Sequence, residues 1–168
     1  TYIGVGAHQV HLLAGRIADP IPCEECHIVP AKYMDPEHLS TGPDDVGAEV
    51  KFGAFSATDD LVPQWNRTNA TCANTYCHGG SQQGGIHTQP IWNKVDGSQI
   101  SCASCHAFPP SLPHPARTDC ATCHSDTVNA SGNIVLTGKT HINGQVEVKA
   151  SCNVCHGTSP DGAPPVSL

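Results

Sequence analysis

Five times in 168 residues a cysteine pair is followed at once by a histidine. The copies are Cys23-Glu-Glu-Cys26-His27, Cys72-Ala-Asn-Thr-Tyr-Cys77-His78, Cys102-Ala-Ser-Cys105-His106, Cys120-Ala-Thr-Cys123-His124 and Cys152-Asn-Val-Cys155-His156. Together they consume all ten cysteines and five of the eleven histidines. Four copies have two residues between the cysteines; the second has four. Any fold this chain adopts has to place five such clusters.

C-x-x-C-H is the spacing of covalent c-type haem attachment. Each thiol can form a thioether to a porphyrin vinyl group, and the adjacent histidine can ligate the iron. Zinc sites also use cysteine pairs, but a zinc ribbon does not require a histidine after every second cysteine. A disulfide framework suits a chain with an even cysteine count and a weak core, yet it too leaves the five histidines unexplained. The four-residue spacing of Cys72 and Cys77 is a weaker signal alone. His78 directly after it, and the four companion copies, strengthen it.

Composition points the same way. The chain holds 16 Gly and 14 Pro but only two Trp, three Phe and three Tyr. Such a chain struggles to offset its conformational entropy by burying its own side chains. The expected fold is therefore mostly irregular coil with short helices and one or two small β-hairpins, wrapped around a chain of five haems. Residues 1–168 are read as a single pentahaem unit.

Five proximal ligands, His27, His78, His106, His124 and His156, leave five irons each in need of a sixth ligand. The other histidines are His8, His11, His38, His87, His114 and His141, six candidates for five positions. His8 and His11 stand at i and i+3 in a short predicted helix stopped by Gly15, so they share one face. His38 lies in a polar linker, as a ligand or as a solvated loop side chain. His114 lies between Cys105 and Cys120 in a run carrying four prolines. Those prolines predict an extended arm, and His114 is expected to reach an iron other than those of His106 and His124. His141 precedes Asn143-Gly144, a hairpin signal, which predicts a hairpin within residues 133–149. Residues 46–55 alternate weakly and predict a short strand; residues 56–70 are polar without clear periodicity. Trp92 reads either as a packing partner for a porphyrin edge or as an anchor of a small core.

The formal charge of −7 and the lack of a basic patch argue against nucleic acid as a partner. No apolar run approaches the roughly 20 residues of a membrane helix. Thr1 does not open a signal peptide, and the chain is read as a mature or processed piece.

The motifs now carry a resemblance. Cys72 through Tyr76-Cys77-His78-Gly79, then Pro90-Ile-Trp92, Cys102 through His106 with Pro109-Pro110 and His114, Cys120 through His124, His141-Ile-Asn-Gly144 and Cys152 through His156-Gly157 resemble the CxxxxCH/CxxCH-domain multihaem cytochromes of Geobacter-like bacteria. Gly6-Ala7-His8 with His11-Leu12, and Cys23 through Pro30 with His38, resemble that family as well. The resemblance implies an electron carrier rather than an enzyme, extracytoplasmic and commonly at the outer cell surface, otherwise periplasmic. Its partners would be other redox proteins or extracellular electron acceptors. It implies His8, His11, His38, His114 and His141 as distal ligands, with His87 left over. The segments near the two ends resemble adjacent parts of a tandem array. That implies head-to-tail self-association, with His8 or His11 able to serve a haem of the adjoining unit. A discrete periplasmic shuttle is the alternative. A redox enzyme would need one open iron.

Overall fold

A computed structural model describes residues 2–13, 15, 17–35 and 49–149. Regular structure is sparse. The single α-helix, α1 (His8–Leu12), has five residues and no side-chain cap. Strands β1 (Gln64–Asn66) and β2 (Thr71–Ala73) form one antiparallel pair, with Trp65 opposite Cys72. Five one-turn 3₁₀ segments complete the inventory of the described residues: Cys23–Glu25, Thr58–Asp60, Tyr76–His78, Cys120–Thr122 and Leu136–Gly138. His38 and the fifth motif (Cys152, Cys155 and His156) lie outside the described residues.

Three of those turns are attachment motifs. The Cys23 carbonyl accepts the N–H groups of Cys26 and His27, at 3.2 and 3.0 Å. The Cys120 carbonyl accepts those of Cys123 and His124, at 3.2 and 2.9 Å. Side chains at i and i+3 of a 3₁₀ turn eclipse, so a two-residue gap presents both thiols of the pair on one side. The second motif reaches its goal differently: Cys72 sits on β2, and the turn begins only at Tyr76.

The chain divides into two compact units, Thr1–Ala14 with Pro20–Ala107, and Gly15–Asp19 with Phe108–Leu168. In the first unit the backbone itself packs. Ile86 and His87 donate to the carbonyls of Ala103 and Ser104 at 3.0 and 2.9 Å, and Ala107 donates to Gln83 at 2.8 Å. Gly79, at φ +79°, lies so close to the third motif that a Cβ there would stand 1.8 Å from the Cys105 carbonyl oxygen. Only glycine fits that backbone conformation and that approach. The first motif is clamped by Glu25, whose buried carboxylate accepts the Ser56 N–H at 2.6 Å. Gly53 and Lys51 donate to the carbonyls of Glu25 and Cys26. In the second unit, Lys149 donates to the Cys123 carbonyl at 2.8 Å, and Val128 pairs with Ile134 in an isolated bridge.

Among the described residues the apolar core is only Ala7 and Ala70, and no large side chain is fully buried. Leu112, Val146, Tyr2, Met34 and Val62 all stand largely exposed. This matches the composition: side-chain packing does not hold this fold.

Four expectations change. No strand forms in the described part of residues 46–55, where the backbone donates instead to the first motif. The hairpin predicted within residues 133–149 does not form. The Asn143-Gly144 turn is present, with Asn143 Oδ1 accepting the Gln145 N–H, but the run after it spends its backbone groups on the fourth motif. A small hairpin forms instead across residues 64–73, within a polar stretch with no strand signal; Asn66 Oδ1 accepts the Asn69 N–H in its turn. The proline run is a bent arm, with cis peptides before Pro109 and Pro113 and a turn in which His114 donates to the Ser111 carbonyl.

Candidate metal centres

The histidine rings settle into pairs. His8 faces His27 with centroids 6.1 Å apart and planes 24° from parallel. His11 faces His78 at 6.0 Å and 75°. His114 faces His124 at 6.1 Å and 15°. Each pair joins a motif histidine to one outside the motifs. The spacing is too wide for ring stacking. Two imidazoles sharing one metal from opposite sides, each nitrogen at about 2 Å, have centroids roughly 6 Å apart. The expectation sent His114 to an iron other than that of His124; the structure sets its ring against His124, where the arm turns at Ser111.

A second feature orients the rings. Seven imidazoles place Nδ1 within 2.6–2.9 Å of a backbone carbonyl oxygen. A carbonyl can only accept, so Nδ1 carries the proton and Nε2 is left as the basic nitrogen. This is the arrangement by which outer partners fix the tautomer of a metal-binding histidine. His27 uses Glu49, His124 uses Glu147, and His141 uses Ile17. His8 and His11 use Val5 and Ala7 of their own turn, at i−3 and i−4. His106 and His114 use Ala107 and Pro115, the next residue in each case. Sequence reading missed the partners of His27, His124 and His141, since any residue carries a carbonyl and only folding brings it near. Among the described residues His87 has neither a ring partner nor a ring hydrogen bond; its backbone serves the pairing with Ser104.

The electrostatics fit iron ligands better than thiolate chemistry. Burial pushes the Cys72 thiol up to about 11, with nearby Cys26 adding to it. Burial, then Glu25 and Cys26, pushes Cys77 up to about 12. Cys26 and Cys105 move the same way, again chiefly by burial. Thiols held neutral in this way are weak nucleophiles. Among the described residues no three His, Cys, Asp or Glu side chains converge on one metal position. Burial, then neighbouring His11, lowers His78 to about 4, so its ring is neutral at pH 7 and able to bind a metal.

Haem fits this frame on several counts. The turns of the first and fourth motifs put their two thiols on one side, the imidazole pairs are spaced to share an iron, and exposed apolar side chains offer cover for a porphyrin. Trp65 Nε1, opposite Cys72 on the strand pair, and Thr75 Oγ1, inside the second motif, are buried donors without a partner among the described residues. A haem carboxylate would supply the acceptor.

Comparison with known proteins agrees. Residues 71–106 match the family model for the Geobacter CxxxxCH...CXXCH motif. The match spans the second and third attachment motifs, the same two that pack backbone to backbone through Gly79 and Cys105. It is consistent with a multihaem c-type cytochrome, and the motif implies covalently bound haem c and haem-based electron transfer. Among curated proteins and solved structures nothing matches. No helix among the described residues is long and apolar enough to cross a membrane.

Proposed function

We propose that the chain is a pentahaem electron conduit in which every iron is closed by two histidines. The observation that carries this is the set of three imidazole pairs, each within 0.1 Å of one common spacing. His27 takes His8, His78 takes His11, and His124 takes His114. His106 and His156 remain, with His38, His87 and His141 as three candidates for their two irons. In each of these three pairs both histidines belong to the same compact unit. His8 and His11 serve haems of their own chain, and not those of an adjoining one. Bound haem supplies one-electron chemistry, and two nitrogen ligands per iron favour a lower potential than a His/Met pair. What the protein contributes is position: motif turns that hold the thioethers, and carbonyls that orient the rings.

The setting we propose is extracellular electron transfer, by a filament-forming or cell-surface cytochrome; the family resemblance supports it. A discrete periplasmic shuttle is the second reading. Cryo-electron microscopy of the native preparation tests both, showing filament or monomer and every axial ligand. Spectra of the oxidised protein test the ligation directly: all irons should be low-spin. A high-spin centre in the resting protein would count against closure of every iron and revive an enzymatic reading.

A further inference from the structure

Trp92 lies between the two distal histidines of α1. Its indole meets His8 edge-on at 4.9 Å and lies against His11 at 5.6 Å, 29° from parallel. Its Nε1–H donates to the Ile3 carbonyl at 2.8 Å, in the turn that leads into α1. Its backbone N–H donates to the Ala70 carbonyl at 2.6 Å, next to β2. Gly6, at φ +40°, makes room for it: a Cβ there would stand 1.7 Å from Trp92 Nε1.

Helix α1 cannot hold this geometry by itself. Five residues are far below the length at which an isolated helix is stable, and α1 has no side-chain cap and no buried residue. Its outside supports are the Ile21 N–H donated to the His11 carbonyl at 2.7 Å and the indole.

We propose that Trp92 is a positioning residue for two irons at once, wedged so that the His8 and His11 rings point at the irons of His27 and His78. This rests on the ligand pairs of the preceding section. The indole pairs with the rings of His8 and His11 and with neither His27 nor His78, so it acts through the distal rings. Losing it therefore frees two sixth ligands together and leaves the thioether attachments intact.

The test is carbon monoxide binding to the reduced holoprotein, with covalent haem content measured by mass. His8→Ala and His11→Ala should each bind one carbon monoxide per chain. Trp92→Ala should bind two, with haem content unchanged. Gly6→Ala, which displaces the indole without altering it, should reproduce the effect. Trp92→Phe keeps the wedge but loses the tether to Ile3, and should bind more weakly than Trp92→Ala. The proposal is overturned if Trp92→Ala binds none or one while each histidine variant binds one. If the histidine variants themselves bind none, it is the ligand pairing that fails. Should Trp92→Ala not yield holoprotein, Gly6→Ala and Trp92→Phe decide: carbon monoxide at no more than one site in both overturns the role of Trp92.

Discussion

His114 and His124 face each other at 6.1 Å with planes 15° apart, although Pro115 and the Cys120–Cys123 turn stand between them along the chain. Each ring is set by a different carbonyl, His114 by Pro115 and His124 by Glu147. The arm between the third and fourth motifs thus brings its histidine ring against the fourth motif.

On the proposed pairing these two residues are non-additive. His114→Ala should leave haem attachment intact and open a single iron to added carbon monoxide or cyanide. His114→Ala/His124→Ala should still perturb one centre per chain. Titration showing two perturbed centres in the double variant would mean that the residues serve different irons.

The angle between ring planes has its own signature. Near-parallel imidazoles split the iron d orbitals rhombically, while near-perpendicular ones leave them close to axial. The pairs at 15° and 24° and the pair at 75° should therefore give two kinds of low-spin electron paramagnetic resonance signal in the oxidised protein. His11→Ala should remove the strongly anisotropic kind arising from the His78 centre. A loss confined to the rhombic signals would reassign the pair.

Glycine at 79 is required twice over, by its φ of +79° and by the Cys105 carbonyl. Gly79→Ala should lower the thermal midpoint and the yield of holoprotein well beyond Gly97→Ala. The latter site has a φ of +82° but nothing within 4 Å, so it bears only the backbone strain of about 1–2 kcal/mol. Equal losses at the two sites would show that the packing of the second motif on the third contributes nothing.

Raised thiol pKa values predict a pH effect confined to protein whose cysteines are free. Folding holds Cys72 and Cys77 protonated up to about 11 and about 12, against an ordinary value of 9.0. Between these limits the folded state binds more protons than the unfolded state, so stability falls as pH rises through that window. It is fully present below pH 9. Holoprotein, whose sulfurs are thioethers, should show no such loss in alkaline thermal denaturation, and equal loss in both forms would contradict the assignment.

Much of the candidate site was legible beforehand. Cys-x-x-Cys-His states its own chemistry, because adjacent residues along a chain cannot help being neighbours in space. His8 and His11 were legible as a pair on one face for the same reason. Trp92 stayed ambiguous: its partners, Ile3 and Gly6, are nearly ninety residues away in sequence. The hairpin at residues 64–73 was illegible because its strands are three residues each, too short to show alternation. Asn143-Gly144 misled because a turn signal says nothing about what the following backbone will bond.

By itself, then, the sequence determined the attachment positions, the poverty of the side-chain core, the acidic character and the pool of candidate ligands. All of these follow from residue type and local spacing. Among the described residues, tertiary structure alone decided the three histidine pairs, which carbonyl sets each of seven rings, and why Gly79 must be glycine. Those depend on long-range approach of backbone to backbone. In a chain with almost no apolar core that approach is set by hydrogen bonds and close glycine contacts, and these leave no periodic trace in the sequence.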